Sequence, residues 1–331
     1  MPIITIDGLQ FFDQIAGGGI IIEQDKIEQY VSYINDNDIH RVVINYVFGY
    51  KLDNINFINE CPNIKNLSIN SPFIKDYSPI SYLKNLKSLS LISPFVRDYS
   101  PLYQLKLLKS LYIDRSPTKA FGKSGNAKLD LALIPYLENL SIYNCKNIEG
   151  LDECKNLNKL RLTIYNPPYK NLEELTALKN LQNLKIVKST INSFEGLGHL
   201  QKIKRFDLAY LSNLINIDDL DNANSLLILR FESCKNIQNH EYVKKLKELK
   251  LLAFSNCGNI PSIEFIKHMP SLKAFIFVDS KVVNGDISPC IGLEYVAFMN
   301  KKHYSHSRKD FPNDKMSPEM KELFKWERAN Y

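Results

Sequence analysis

Residues 71–91, SPFIKDYSPISYLKNLKSLSL, and residues 93–113, SPFVRDYSPLYQLKLLKSLYI, are two copies of one unit, the first starting at Ser71 and the second at Ser93. The SPF start, the DYSP turn and the closing leucines fall in the same places in both. A unit of this length ending in L-x-x-L-x-L is a short strand joined by a turn to a return segment. Such a unit cannot bury its own apolar edge, so it must stack on further copies.

Further copies are present. The triplet L-x-x-L-x-L starts at Ile39, Ile64, Leu86, Leu108, Leu137, Leu157, Leu181, Ile203, Leu226, Leu249, Leu272 and Leu293, at nearly regular spacing. Its last position reads Ile44, Ile69, Leu91, Ile113, Ile142, Leu162, Ile186, Leu208, Phe231, Phe254, Phe277 and Phe298, and all thirty-six triplet positions are apolar. A second apolar pair closes the coil after the strand, as in Ile80 and Leu83, Leu102 and Leu105, or Ile266 and Met269. The pattern predicts an α/β repeat fold: a leucine-rich-repeat solenoid of about twelve units. It would be a curved right-handed coil with a parallel sheet on the concave face and short helical or irregular returns on the convex face.

Three segments follow from that register. Residues 1–38, with a strand at Ile3–Ile6 and Ile27, Tyr30, Val31 and Ile34 at helical spacing, read as an N-terminal cap. Residues 39–300 are the solenoid. Residues 301–331 read as a C-terminal cap or a tail, with a short helix capped by Ser317 and carrying Met320, Leu323, Phe324 and Trp326. Two units are stretched, by TKAFGKSGNAK at 118–128 and by YNPPYKN at 165–171, and insertions of this kind map to loops on one face.

The repeat resembles that of bacterial leucine-rich-repeat proteins of internalin type, whose units read like DYSPISYLKNLKSLSL, over roughly Ile39 to Phe298. The resemblance implies the fold and a binding role. The closing run NGDISPCIGLEYVAFMNKKHYSHSRKDFP is, more loosely, similar to the ends of leucine-rich-repeat immunity proteins that neutralise bacterial toxins.

Within each strand alternate side chains point outward, which maps the exposed face. Early units offer Asn66, Ser68, Asn70, Ser88 and Ser90. The middle offers Tyr112, Asp114, Tyr143, Lys159, Arg161, Lys185, Arg205, Asp207, Arg230 and Glu232. Tyrosine and arginine are enriched where interfaces hold most of their energy, so this patch is the expected partner-binding site, and its cationic excess suits an acidic protein surface. Late units offer Leu251, Ala253, Ala274, Ile276, Val278, Tyr295, Ala297 and Met299. An apolar row of that length needs a cover: the C-terminal segment, a second copy or a partner.

The remaining composition narrows the function. Forty-two Lys and Arg against 36 Asp and Glu leave a formal charge of +6, with signs interspersed, which argues against nucleic acid. No window approaches the roughly 20 apolar residues of a membrane span. The first twenty residues carry Asp7 and Asp13 where a leader needs an unbroken apolar run. Six cysteines without CxxC pairs fit reduced thiols, so the expected compartment is the cytoplasm. Cys145, Cys234 and Cys257 share one repeat position, where a side chain bonds the turn inside the coil.

His303 and His306 form HxxH without the helical HExxH frame, so no metal is expected, and no cofactor either. Asp218 and Asp219 fall in a turn. No cysteine follows Phe298, where an appended catalytic domain would need its nucleophile. The chain therefore reads as a non-enzymatic protein-binding module. An immunity protein is the narrower alternative and a homodimer through the late units the structural one.

Overall fold

A computed structural model describes residues 3–13, 18–116, 127–311 and 316–329. The chain divides into two compact units, residues 1–157 and 158–331. The loop at 118–128 lies mostly outside the described residues, and so does the side chain of Trp326.

The first unit begins with an antiparallel hairpin, Ile3–Ile6 against Leu9–Phe12. Asp7 and Gly8 turn it with φ of 51° and 78°. Two positive φ values in succession give the turn whose twist matches that of a hairpin, and Asp-Gly tolerates them. The second hairpin strand pairs with Ile20–Ile21, which runs parallel to Arg41–Asn45. Helix α1, Ile27–Asp36, buries Tyr30 and Ile34. From Arg41 the sheet is parallel and in register with the triplets: Val42, Leu67, Leu89, Leu111 and Leu140 lie side by side.

The second unit continues the pattern with seven strands, Lys159–Tyr165, Asn183–Ser189, Arg205–Ala209, Ile228–Glu232, Leu251–Ser255, Ala274–Ile276 and Tyr295–Ala297. Each is parallel to the next, so Leu160, Leu184, Phe206, Leu229, Leu252, Phe275 and Val296 form one row. The returns in both units are single turns of 3₁₀ helix, such as Ser78–Tyr82, Ser100–Gln104 and His240–Lys245. Pro79 and Pro101 fit near the start of two of them, where no backbone N–H is required.

Every triplet residue is buried except Ile39 and Leu293, the leading residues of the first and last triplets, which are partly exposed. In the later repeats phenylalanine replaces leucine and the rings stack: Phe231 lies 5.0 Å from Phe254, and Phe277 lies 4.8 Å from Phe298. Helix α2, Pro318–Ala329, closes the second unit.

Candidate partner-binding surface

On the sheet face of the second unit, in-register pairing sets side chains in rows. One runs Lys159, Asn183, Arg205, Ile228, Leu251, Ala274, Tyr295, and the next runs Arg161, Lys185, Asp207, Arg230, Ala253, Ile276, Ala297. Seven of the ten residues expected to bind a partner stand on these strands. Tyr112, Asp114 and Tyr143 lie on the sheet face of the first unit, where the Asp114 carboxylate accepts a 2.8 Å bond from the Ser116 N–H.

The seven are not equally available. Lys159, Arg161, Lys185 and Arg230 are partly exposed, and Glu232 is exposed. Arg205 and Asp207, two positions apart on one strand, are 2% and 6% exposed. The Arg205 guanidinium holds the Asp207 carboxylate through Nε at 2.8 Å and an amino group at 2.7 Å. A paired charge costs far less to bury than a lone one. Both contacts go to one carboxylate oxygen, the other being buried without a hydrogen bond from a described residue, while Lys185 and Arg230 flank Asp207 in its row.

Beside the pair the face sinks into a groove of about 440 Å³. It is lined by the small residues Ala209, Ala253 and Ser255 and by Lys185, Arg230 and Glu232. Its far rim is Tyr210, Ser233, Asn256 and Asp279. These four have φ of 50° to 58° and recur once per repeat, the first three immediately after a strand and Asp279 three residues after Ile276. Left-handed backbone suits Asn and Asp, yet the position also holds Tyr210, whose ring is 49% exposed. The rim was not anticipated from the sequence, although its even spacing is visible there.

Part of the late apolar stripe, Leu251, Ala253, Ala274, Ile276 and Tyr295, is covered by the chain itself, while Met299 is exposed. Met320 of α2 is wholly buried against Ile228, Leu251, Ala253 and Ala274, with Leu323 and Phe324 beside it. Phe324 meets Tyr295 edge-on at 5.4 Å. Glu319 binds both Lys250 and Lys273, and these ammonium groups hold its carboxyl down to about 2. The Ser317 N–H donates to Glu294 at 2.8 Å. The C-terminal segment is thus one cover of the stripe, and a cleft of about 310 Å³ lined by Tyr295, Met316 and Phe324 lies beside it.

The other candidates have internal roles. Cys234 and Cys257 are buried free thiols whose Sγ atoms lie 3.7 Å and 3.4 Å from the carbonyls of Leu208 and Phe231 in the preceding repeat. Burial pushes them up to about 11 and about 12, far from a reactive thiolate. Cys145, at the same repeat position, lies 3.6 Å from the Ile142 carbonyl.

His303 contacts the Val282 carbonyl at 3.0 Å, while Asp310 caps a turn at Ser307. Asp219 accepts from the Phe194 N–H, and Asp218 from Asn239. Among the described residues no group of three metal-ligating side chains converges. No described helix is long and apolar enough to cross a membrane.

An internalin of Listeria monocytogenes, InlF, superposes on 82% of this chain and 77% of its own with a TM-score of 0.59 at 19% identity. The fold is an internalin-like leucine-rich repeat. The leucine-rich-repeat ectodomain of the plant receptor kinase GASSHO1/SCHENGEN3 from Arabidopsis thaliana matches 82% of this chain and 34% of its own, with a TM-score of 0.50 at 14% identity. A leucine-rich-repeat protein of Leptospira interrogans aligns over 92% of this chain and 97% of its own at 15% identity, with a TM-score of 0.45. No protein-family model and no curated protein sequence matches the chain. The leucine-rich-repeat fold accounts for the parallel sheet, the 3₁₀ returns and the cysteine position together.

Proposed function

We propose that the protein binds another protein, and that the groove on the sheet face of the second unit is where it does so. The observation that carries this reading is the lining of the groove, which brings together Lys185 and Arg230, Glu232 and Asp279, Tyr210, and the small residues Ala209, Ala253 and Ser255. Charges of both signs fix the register of a partner, and small residues admit its side chains. Arg205 pairs with Asp207 within the face, and Asp207 lies between Lys185 and Arg230 in its row. The Arabidopsis neighbour was solved in complex with CASPARIAN STRIP INTEGRITY FACTOR 2, so this fold carries bound partners.

Because α2 already covers Leu251, Ala253 and Ala274 of the late stripe, partner binding is favoured over self-association through it. The buried free thiols Cys61, Cys154, Cys234, Cys257 and Cys290 agree with a cytoplasmic setting. A toxin neutralised by this chain would be one such partner.

The test is a pull-down from the source cells with the intact chain beside a Lys185→Glu, Arg230→Glu variant and a Glu232→Lys variant. Arg205 is left untouched because its loss would damage the fold. We expect a stoichiometric partner to be retained by the intact chain and lost from both variants. A partner held equally by all three would place the contact elsewhere.

A further inference from the structure

The docking of α2 shows what the repeat position just before each strand can do. Lys250 and Lys273 occupy it in successive repeats of the second unit, and the Glu319 carboxylate of a helix lying on the sheet face binds both. In the first unit the same position holds lysine three times running, Lys65, Lys87 and Lys109. Their backbones are in direct succession: the Lys87 N–H donates to the Lys65 carbonyl at 2.8 Å, and the Lys109 N–H to the Lys87 carbonyl at 2.9 Å.

No helix carboxylate meets these three among the described residues. Lys65 touches His40 Nε2 at 2.7 Å, Lys109 pairs with Glu138, and exposed Lys87 forms no ion pair with a described residue. Lys84 and Lys106, in the turns before them, are exposed as well. The face they border is low and donor-rich: Asn66, Ser88 and Ser110 form its first row, and Ser68, Ser90 and Tyr112 its second. Serine and asparagine leave room for a helix over most of these rows, and hydroxyl and amide groups add hydrogen bonds to a row of amines.

Spacing supplies the partner's geometry. Adjacent strands lie about 4.8 Å apart, so the three lysines are offered at that interval. A helix rises about 1.5 Å per residue, so side chains three or four apart on one side advance about 4.5 to 6 Å. A helix laid across the strands therefore presents one carboxylate to each lysine if it carries Glu or Asp at every third or fourth position.

We propose that the sheet face of the first unit is a second docking surface, and that its occupant is a helix of a partner protein with acidic residues striped along one side. The lysine row binds the stripe and the serine rows accommodate the helix body. This surface stands independently of the groove on the second unit.

The test uses the full chain and two alanine-based helical peptides of equal composition. One carries glutamate at every fourth position along one side, and the other has the same glutamates scattered around the helix. At low salt the striped peptide is expected to bind more tightly than the scattered one, and to weaken as salt rises. Replacing Lys65, Lys87 and Lys109 by Gln should weaken it at least tenfold with an unchanged melting midpoint. A control Lys281→Gln, Lys301→Gln, Lys302→Gln variant loses the same charge and should bind as the intact chain does.

Lys87→Gln alone, which breaks no described ion pair, must also weaken binding. Equal binding of the two peptides, or full binding by the Lys65, Lys87, Lys109 variant, would overturn the proposal. A single-stranded oligonucleotide that binds through the same lysines more tightly than the striped peptide would overturn it too, assigning the surface to nucleic acid instead.

Discussion

His240 is a buried histidine with its ring edge-on to Phe254 at 5.1 Å, and burial brings its pKa down from 6.5 to about 4. The sign of the resulting pH dependence follows directly. Above about pH 6.5 the ring is neutral folded or unfolded and contributes no slope. As the pH falls from there towards 4 the unfolded chain takes up a proton that the folded chain refuses, so stability drops by about 3 kcal/mol, at roughly 1.4 kcal/mol per pH unit. A His240→Phe variant should lose that share of the acid sensitivity. Urea unfolding of both proteins at about pH 7.5 and pH 5 measures it, and equal losses in the two would refute the assignment.

Arg205 and Asp207 make a second prediction at this scale. Arg205→Ala leaves a buried carboxylate without its cation and should cost about 3–5 kcal/mol, whereas Arg205→Met with Asp207→Leu should recover most of it. If the double variant is no better than the single one in urea unfolding, the pair is not self-contained. The alternation of the strand places both side chains on the sheet face, but alternation carries no information about how much water reaches them. Arg205 is flanked in register by Asn183 and Ile228, and Asp207 by Lys185 and Arg230, all from neighbouring repeats, so their surroundings were beyond the reach of a residue-by-residue reading.

At the scale of elements, the triplet was legible because strand stacking demands an apolar residue at each of its positions, with no local alternative. The left-handed rim at Tyr210, Ser233, Asn256 and Asp279 was not, because Tyr, Ser, Asn and Asp share no side-chain chemistry and only their backbone is alike. Helix α2 was half legible: its apolar residues demanded a surface, and the apolar stripe of Leu251, Ala253 and Ala274 demanded a cover, but nothing local paired the two. The structure joins them through Met320.

That contact should dominate the docking. Met320→Ala removes a fully buried side chain and should cost about 2–5 kcal/mol of helix docking. Glu319→Gln breaks exposed ion pairs that salt screens and should have a small effect that vanishes at high salt. Hydrogen exchange of the α2 amides separates them: rapid exchange is expected in the Met320 variant and near-normal protection in the Glu319 variant. The reverse order would mean that charge, rather than packing, seats the helix.

At the scale of the molecule, a chain built by stacking repeats distributes its stability as unit terms and nearest-neighbour terms. The second unit allows this to be measured. Phe231 and Phe254 stack at 5.0 Å with planes 7° apart, on adjacent strands. Leu160 lies four strands from Phe254 in the same sheet, a separation of about 19 Å at about 4.8 Å per strand. Each truncation to alanine should cost about 2–5 kcal/mol.

Contacting residues couple and distant ones add. The Phe231→Ala, Phe254→Ala pair should therefore depart from additivity by more than about 0.5 kcal/mol, because the first truncation already removes the ring against which the second would be felt. The Leu160→Ala, Phe254→Ala pair should add to within about that amount. Double-mutant cycles in urea decide it. Strong coupling between Leu160 and Phe254 would show that the second unit folds as one indivisible core, and substitutions in the groove would then be felt throughout the unit rather than in the repeats that carry them.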